Sequence, residues 1–353
     1  MTKKTGFLSN LGTPTFIDLK SGITVGVIII PQAMAYATLA GLPAQHGLYA
    51  AFIPVLLYGL FGSSRYLSVG PAALDSMLVA AFLLSLKLTT LADYIQSAIL
   101  LTFMVGIIQF LLGILKMGFI IQFFSKPVIS GFTNAAVLLI GASQLAPLLG
   151  LASLRMPAEQ LSNSFGVIAI TTAIGISALL ALALAKRYAP KIPIALLVVL
   201  LATVASAYFN WNEIGVREIG RIPSGLPSLS LHVFDVLLIR DLLPFAAALA
   251  ILGFLSSMTI IKASESKTSV VESNPNKELR ALGLANITGS FFQSYVASAS
   301  FSRSAILLGG SVRSRWASIF SALLVGISLF VLTPFFTHMP IAVLSAVVLF
   351  SLL

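Results

Sequence analysis

Tyr66-Leu-Ser-Val-Gly-Pro-Ala-Ala-Leu-Asp-Ser76 opens as a short extended run, turns at Gly70-Pro71, and continues as an apolar helical run to about Leu86. Proline lacks an N–H and fits the first turn of a helix, where that donor has no partner, so a helix is predicted to begin at Pro71. A second stretch, Tyr295-Val-Ala-Ser-Ala-Ser-Phe-Ser-Arg-Ser304, repeats the pattern, with small residues and β-formers before a helical run from about Ser302. Both stretches sit within long apolar sequence. No water satisfies a broken backbone in lipid, so an interrupted helix survives there only where protein buries it or where it lines a cavity. Paired interruptions in two halves of a chain point to a binding site between them.

The composition around these stretches supports a membrane setting. Of 353 residues, 58% are hydrophobic and 9% charged, too little polar surface to cover a soluble globule of that size. A bilayer core of roughly 30 Å needs about 20 helical residues to span it. Hydropathy and breakers give spans near 17–40, 44–62, 70–86, 92–114, 119–147, 163–185, 190–208, 240–262, 278–294, 298–311, 315–334 and 339–353, twelve in all. The first apolar segment has more spans after it and lacks a small-residue cleavage site, so it reads as a retained helix.

A net charge of +10 raises the question of nucleic acid, and its distribution answers it. With the N-terminus cytoplasmic, fifteen Lys and Arg residues face the cytoplasm, among them Lys20, Arg65, Lys116, Lys186, Arg187, Lys277, Arg280, Arg313 and Arg315. Five face outward, namely Lys87, Arg155, Arg217, Arg221 and Arg240. That excess satisfies the positive-inside rule and makes the surplus topological. The one long polar excursion, about 209–239 with Pro223 and Pro227, reads as an external loop between two halves. No separate soluble domain is expected. His46 and His338 are expected in external loops, and His232 in the long one.

Each half-helix N-terminus offers unpaired N–H donors and about half a positive charge, so two aimed at one point suit an anion. Arg303 adds a full charge inside a predicted span. A charge at mid-bilayer costs about 2.5 to 3.5 kcal/mol on insertion scales, and such residues mark a function or a buried pair. Ser300, Ser302 and Ser304 have a second reading as small residues for close helix packing. Asn134, Gln144 and Gln109 read as bridges between helices. With no cysteine, disulfides, thiolate metal sites and cysteine nucleophiles are excluded. No His, Asp and Glu spacing suggests a metal, no G-x-x-x-x-G-K-[ST] loop is present, and neither a cofactor nor an enzyme activity is expected.

Several stretches resemble the sulfate permease family, also called solute carrier family 26. They are Gly26-Val-Ile-Ile-Ile-Pro-Gln-Ala-Met-Ala-Tyr-Ala37, Gly41-Leu-Pro43 with Gly47-Leu-Tyr49, Leu67-Ser-Val-Gly-Pro71, Asn276-Lys-Glu-Leu279 with Gly283-Leu-Ala-Asn286, and Gly289-Ser-Phe-Phe-Gln293 leading to Ser300-Phe-Ser-Arg-Ser304. The resemblance implies an all-α membrane fold of seven spans plus seven inverted, with two broken helices each preceded by a short extended segment. It implies a core of spans 1–4 and 8–11 (about 17–114 and 240–334) and a gate of spans 5–7 and 12 (about 119–208 and 339–353). The family's last two spans and its cytoplasmic STAS domain are expected to be absent from this sequence. A homodimer, in a bacterial inner membrane, is implied for the full-length protein.

In that family the anion sits between the first, third, eighth and tenth spans. The resemblance then makes Gln32 a side-chain donor after the Pro31 break, and Tyr36, one turn later, an aromatic wall. Pro71 and Ala72 open the third-span half-helix, and Ser302 and Arg303 open the tenth. Gln32 and Tyr36 have plainer readings as interhelical glue and packing aromatic. Many proton-coupled members carry a glutamate in the eighth span, and here Ser256 or Ser257 stands at that position. Asp75, one turn into the third-span half-helix, is the replacement candidate. It is expected to pair with Arg303 in the empty site and to take a proton when a divalent anion binds, although it also suits the helix dipole on its own. The implied function is secondary active transport of sulfate or a related oxyanion, with bicarbonate or chloride/bicarbonate transport and an anion channel as alternatives. The coupling ion is a proton or sodium.

Overall fold

The computed structural model describes residues 11–86, 88–123, 126–151, 165–188, 194–230, 235–268 and 274–352. Lys3, Lys4, Lys87, Arg155, Lys191 and His232 lie outside the described residues. The first helix starts at a capping box: the Thr15 hydroxyl accepts from the Asp18 N–H at 3.2 Å, and the Asp18 carboxylate accepts from the Thr15 N–H at 3.0 Å. From there the chain runs α1 (Phe16–Leu39), α2 (Ala44–Phe61), β1 (Val69–Gly70), α3 (Ala73–Ser85), α4 (Leu91–Ile114), α5 (Lys126–Leu148), α6 (Phe165–Tyr188) and α7 (Ile194–Phe209). It continues with α8 (Val236–Thr268), α9 (Pro275–Phe291), β2 (Ser298–Ala299), α10 (Phe301–Gly309), α11 (Trp316–Val331) and α12 (Ile341–Leu352). Each of the twelve predicted spans therefore has its helix. Short 3₁₀ segments, Met117–Phe123 and Thr333–His338, precede α5 and α12.

Five of these helices, α1, α2, α4, α6 and α8, are long and apolar enough to cross a membrane by length and composition alone. The molecule is a multi-pass membrane protein, and its shorter apolar helices fill out the same bundle. Helix α8 is longer at both ends than its predicted span, because a helix can leave the lipid and continue past Arg240 and Lys262. Pro31 was expected to break α1, yet the helix runs through it. The missing N–H removes one backbone bond, and the turns on either side are buried against α2 and α11.

The packing shows an inverted repeat. Helix α4 packs on α9 and α11 packs on α2, and these pairs exchange when each helix is advanced or set back by seven. The same exchange relates α1 on α11 to α8 on α4, and α1 on α10 to α8 on α3. Close approach at the α4–α9 contact depends on glycine: a Cβ on Gly106 would lie 2.6 Å from the Ile287 nitrogen, and one on Gly283 would lie 2.5 Å from the Phe110 nitrogen. Between α4, α8 and α9, the Asn286 amide donates to Gln109 Oε1 at 3.0 Å, and Gln109 donates to the Ala250 carbonyl at 3.2 Å. Gln109 is thus the interhelical bridge expected of it. Gln144 instead bonds Ser143 on its own helix, and Asn134 is exposed on α5.

Two histidine positions need comment. His46 is buried in the first turn of α2, not in a loop, with Nδ1 2.8 Å from the Gln293 carbonyl oxygen. His338 is half exposed and meets Glu218 at 3.0 Å, where the long polar segment between α7 and α8 lies along the start of α12. That segment bonds back through Ile219 to Met339 and Gly220 to Thr337, so it is a tied strap.

Candidate functional site

The two interrupted stretches meet. β1 and β2 pair antiparallel, Val69 opposite Ala299 and Gly70 opposite Ser298, and the Ser300 N–H donates to the Ser68 carbonyl at 3.0 Å. The Ser68 N–H donates to Ser304 Oγ at 2.9 Å, which adds a stitch from β1 to the first turn of α10. Backbone groups freed by the breaks are thereby satisfied across the repeat, as lipid demands. Gly70 holds φ +144, a value that side-chain-bearing residues rarely adopt, and a Cβ there would lie 3.2 Å from Arg303 Nη2.

From this two-stranded bridge the half-helices α3 and α10 leave. Their N-caps, Ala72 and Ser300, are extended, and neither makes a side-chain bond to the N–H groups of its first turn. Helix α3 starts two residues later than predicted, at Ala73, because Pro71 belongs to the bridge and its carbonyl is already engaged. Helix α10 starts at Phe301, one residue earlier than Ser302.

Both tips border one cavity of about 290 Å³, at the small end of ligand pockets. Ala72, Ala73, Leu74 and Asp75 line it from the first tip, and Ala299, Ser300, Phe301 and Ser302 from the second. Tyr36 of α1, Ser256 of α8, Val137 and Ile140 of α5 and Ser351 of α12 complete the lining. Of the two serines proposed for the eighth span, Ser256 is therefore the one at the cavity. Ser257 is fully buried and donates to the Gly253 carbonyl of its own helix at 2.9 Å. Tyr36 reaches across the cavity, its hydroxyl 2.9 Å from Ser351 Oγ.

Arg303 is fully buried and stands behind the cavity wall. Its Nη2 donates to the Pro71 carbonyl at 3.0 Å, its Nη1 to Gln32 Oε1 at 3.3 Å, and its Nε to Ser68 Oγ at 3.3 Å. All three acceptors are neutral, and no described acidic side chain pairs with the guanidinium, which braces the opposite tip. Gln32 is buried too, and its amide nitrogen has no hydrogen-bond partner among the described residues.

The expected pair between Asp75 and Arg303 is not formed. Asp75 Oδ2 instead accepts a short hydrogen bond from the Ser298 hydroxyl on β2, and no described residue forms an ion pair with it. The reason is reach: Arg303 is taken up by acceptors on the far side of β1. Sequence reasoning missed Ser298, Ser68 and Ser351, because each acts through a tertiary contact that no local spacing announces. The Tyr295 hydroxyl, 3.0 Å from Ser76 Oγ, is another such link between the two tips.

Residues 16–353 match the family model described as the sulfate permease family. The chain belongs to the sulfate permease family. It is 37% identical over 348 residues to "Sulfate transporter 4.1, chloroplastic" of Arabidopsis thaliana, covering 94% of this chain and 50% of that protein. Among solved structures it resembles murine Solute Carrier 26 family member A9, an anion transporter in the inward-facing state (TM-score 0.85, 26% identity, 99% of this chain and 64% of that one). It also resembles the transmembrane domain of the cyanobacterial bicarbonate transporter BicA (TM-score 0.82, 25% identity, 94% and 87%). The chain spans about half the length of the curated relatives it matches. The fold of this sulfate permease family member, with its inverted repeat, matches these neighbours over nearly the whole chain, and the relatives are named as transporters.

Proposed function

We propose that this chain is the membrane part of a secondary transporter that carries a small inorganic oxyanion by alternating access. The observation that carries the reading is the convergence of two uncapped half-helix N-termini, one from each repeat, on a single cavity. Two positive helix ends and a buried guanidinium make that cavity electropositive, and low dielectric strengthens the attraction. Gln32 holds the Arg303 guanidinium behind the wall, Ser302 and Ser256 supply hydroxyls, Tyr36 closes one wall, and Pro71 and Ala72 set the first tip. Arg303 contributes charge from behind and does not grasp the anion.

Helices α1 to α4 and α8 to α11 form the core that carries the site, and α5 to α7 with α12 form the gate, whose α5 and α12 face the cavity. The N-terminus is cytoplasmic, the membrane is a bacterial inner membrane, and the full-length protein is a homodimer. Sulfate is the substrate that the Arabidopsis relative's name supports. With sulfate, Asp75 takes a proton as the dianion enters, which makes it the coupling group in place of a span-eight glutamate. Hydrogencarbonate is a second reading, favoured by the likeness to BicA and by the carboxylate in the cavity.

Flux into proteoliposomes, measured for sulfate, hydrogencarbonate and chloride with and without proton and sodium gradients, tests this reading. Saturable counterflow of an oxyanion is expected. Flux that rises linearly with concentration, or none for any of the three, would contradict it.

A further inference from the structure

The cavity is attractive to anions in every respect but one, since the only acidic side chain among its described lining residues, Asp75, faces the same space. Among the described residues Asp75 forms no ion pair, and Arg303, behind the wall, is spent on three neutral acceptors, so no cation holds the Asp75 carboxylate. Its nearest polar neighbour holds it in place: Ser298 is buried, sits in β2 opposite Gly70, and gives its hydroxyl proton to Oδ2. A carboxylate has about four acceptor sites and no donor, and Ser298 takes one of them. An O–H carried by a bound anion can fill another.

We infer that Asp75 is a specificity-determining residue that selects an oxyanion carrying its own proton, such as hydrogencarbonate or hydrogenphosphate, over a fully ionised one such as sulfate. The inference rests on the anion-carrier reading above and names the substrate class of that site. A proton-bearing oxyanion presents oxygens to the helix tips and to Ser302, and donates its O–H to Asp75. Sulfate offers only acceptors. Sulfate can settle beside Asp75 only once that carboxylate has taken a proton from solution, a step that an oxyanion bringing its own proton does not need.

Hydrogenphosphate and sulfate isolate this effect, because in alkaline buffer, well above the second ionisation of inorganic phosphate, both are tetrahedral dianions that differ by one proton. Binding of each to the purified protein is measured by calorimetry, with chloride as a probe of the anion site that has neither proton nor shape. The wild-type protein is expected to prefer hydrogenphosphate by about ten- to hundredfold, the worth of one hydrogen bond to a charged group. In Asp75→Asn the carboxylate becomes a side chain with N–H donors, and the preference is expected to reverse toward sulfate. Equal wild-type affinities within about twofold, or an unchanged ratio in D75N, would overturn the role of Asp75 while leaving the carrier reading intact. Failure of all three anions to bind the wild-type protein would instead sink the carrier reading itself. Should D75N not fold, Asp75→Ser carries the same comparison. Loss of both oxyanions from a variant that still melts cooperatively would count against the proposal.

Discussion

The tips of α3 and α10 occupy equivalent places in the two repeats, share an extended cap and a two-residue strand, and yet carry opposite charges. The first has Gly70, Pro71 and Asp75, and the second has Ser298, Ser300 and Arg303. Each charged side chain ends on the other repeat: Arg303 on Pro71 and Ser68, Asp75 on Ser298. The backbone is therefore near-symmetric and the side chains are not. Two helix ends generate a general anion site, while the pair of charges braces the tips against each other and tunes which anion fits. Breaking one brace at a time separates the two contributions.

The largest effect is expected from Arg303→Ala. It removes the one cation and orphans three buried acceptors, so oxyanion uptake in proteoliposomes should fall by at least about a hundredfold, and Arg303→Lys should restore only part, because a point charge cannot reach Gln32, Ser68 and Pro71 together. Uptake within about threefold of wild type would show that helix ends suffice. Next comes Gly70→Ala, which strains a left-handed backbone and crowds Arg303 Nη2; a loss of about 1 to 3 kcal/mol of stability in thermal unfolding is expected, with uptake reduced in step.

The Asp75 arm is read by pH. A proton must join sulfate in the site, so wild-type sulfate uptake should rise as pH falls and decline as pH rises, while D75N should be flat. A D75N profile parallel to wild type would remove Asp75 from coupling. Smaller again is Tyr36→Phe, which deletes the hydroxyl contact to Ser351 and should change uptake by about two- to tenfold, near the worth of one neutral hydrogen bond. Smallest is the pair in α8: Ser256→Ala should lower oxyanion affinity a few-fold, and Ser257→Ala, whose hydroxyl serves its own helix, should leave it unchanged.

Much of this was legible before any coordinates. The twelve helices of the described residues follow from apolar length and breakers, and the paired interruptions follow from Gly70-Pro71 and the small-residue run 297–300. Tyr36, Ala72, Ser256 and Ser302 do line the cavity. Direction was what the sequence left open. A two-residue strand has too few positions to show a period, so the β1–β2 pairing, and with it the Ser298 contact to Asp75, had no local signal. Arg303 is expected in the site as a charge inside a predicted span, but it stands behind the wall, and Pro31 reads as a break although α1 continues through it. His46 is expected in an external loop, yet it falls within α2, which begins at Ala44 and buries it.

The central claim is that an anion rests between the two helix ends. A crystal of the protein soaked in selenate, with anomalous differences recorded at the selenium edge, tests it directly. The account predicts a peak in the cavity, within hydrogen-bond distance of the first-turn N–H groups of both α3 and α10. A well-occupied peak elsewhere, or one held by the Arg303 guanidinium away from the tips, would contradict it.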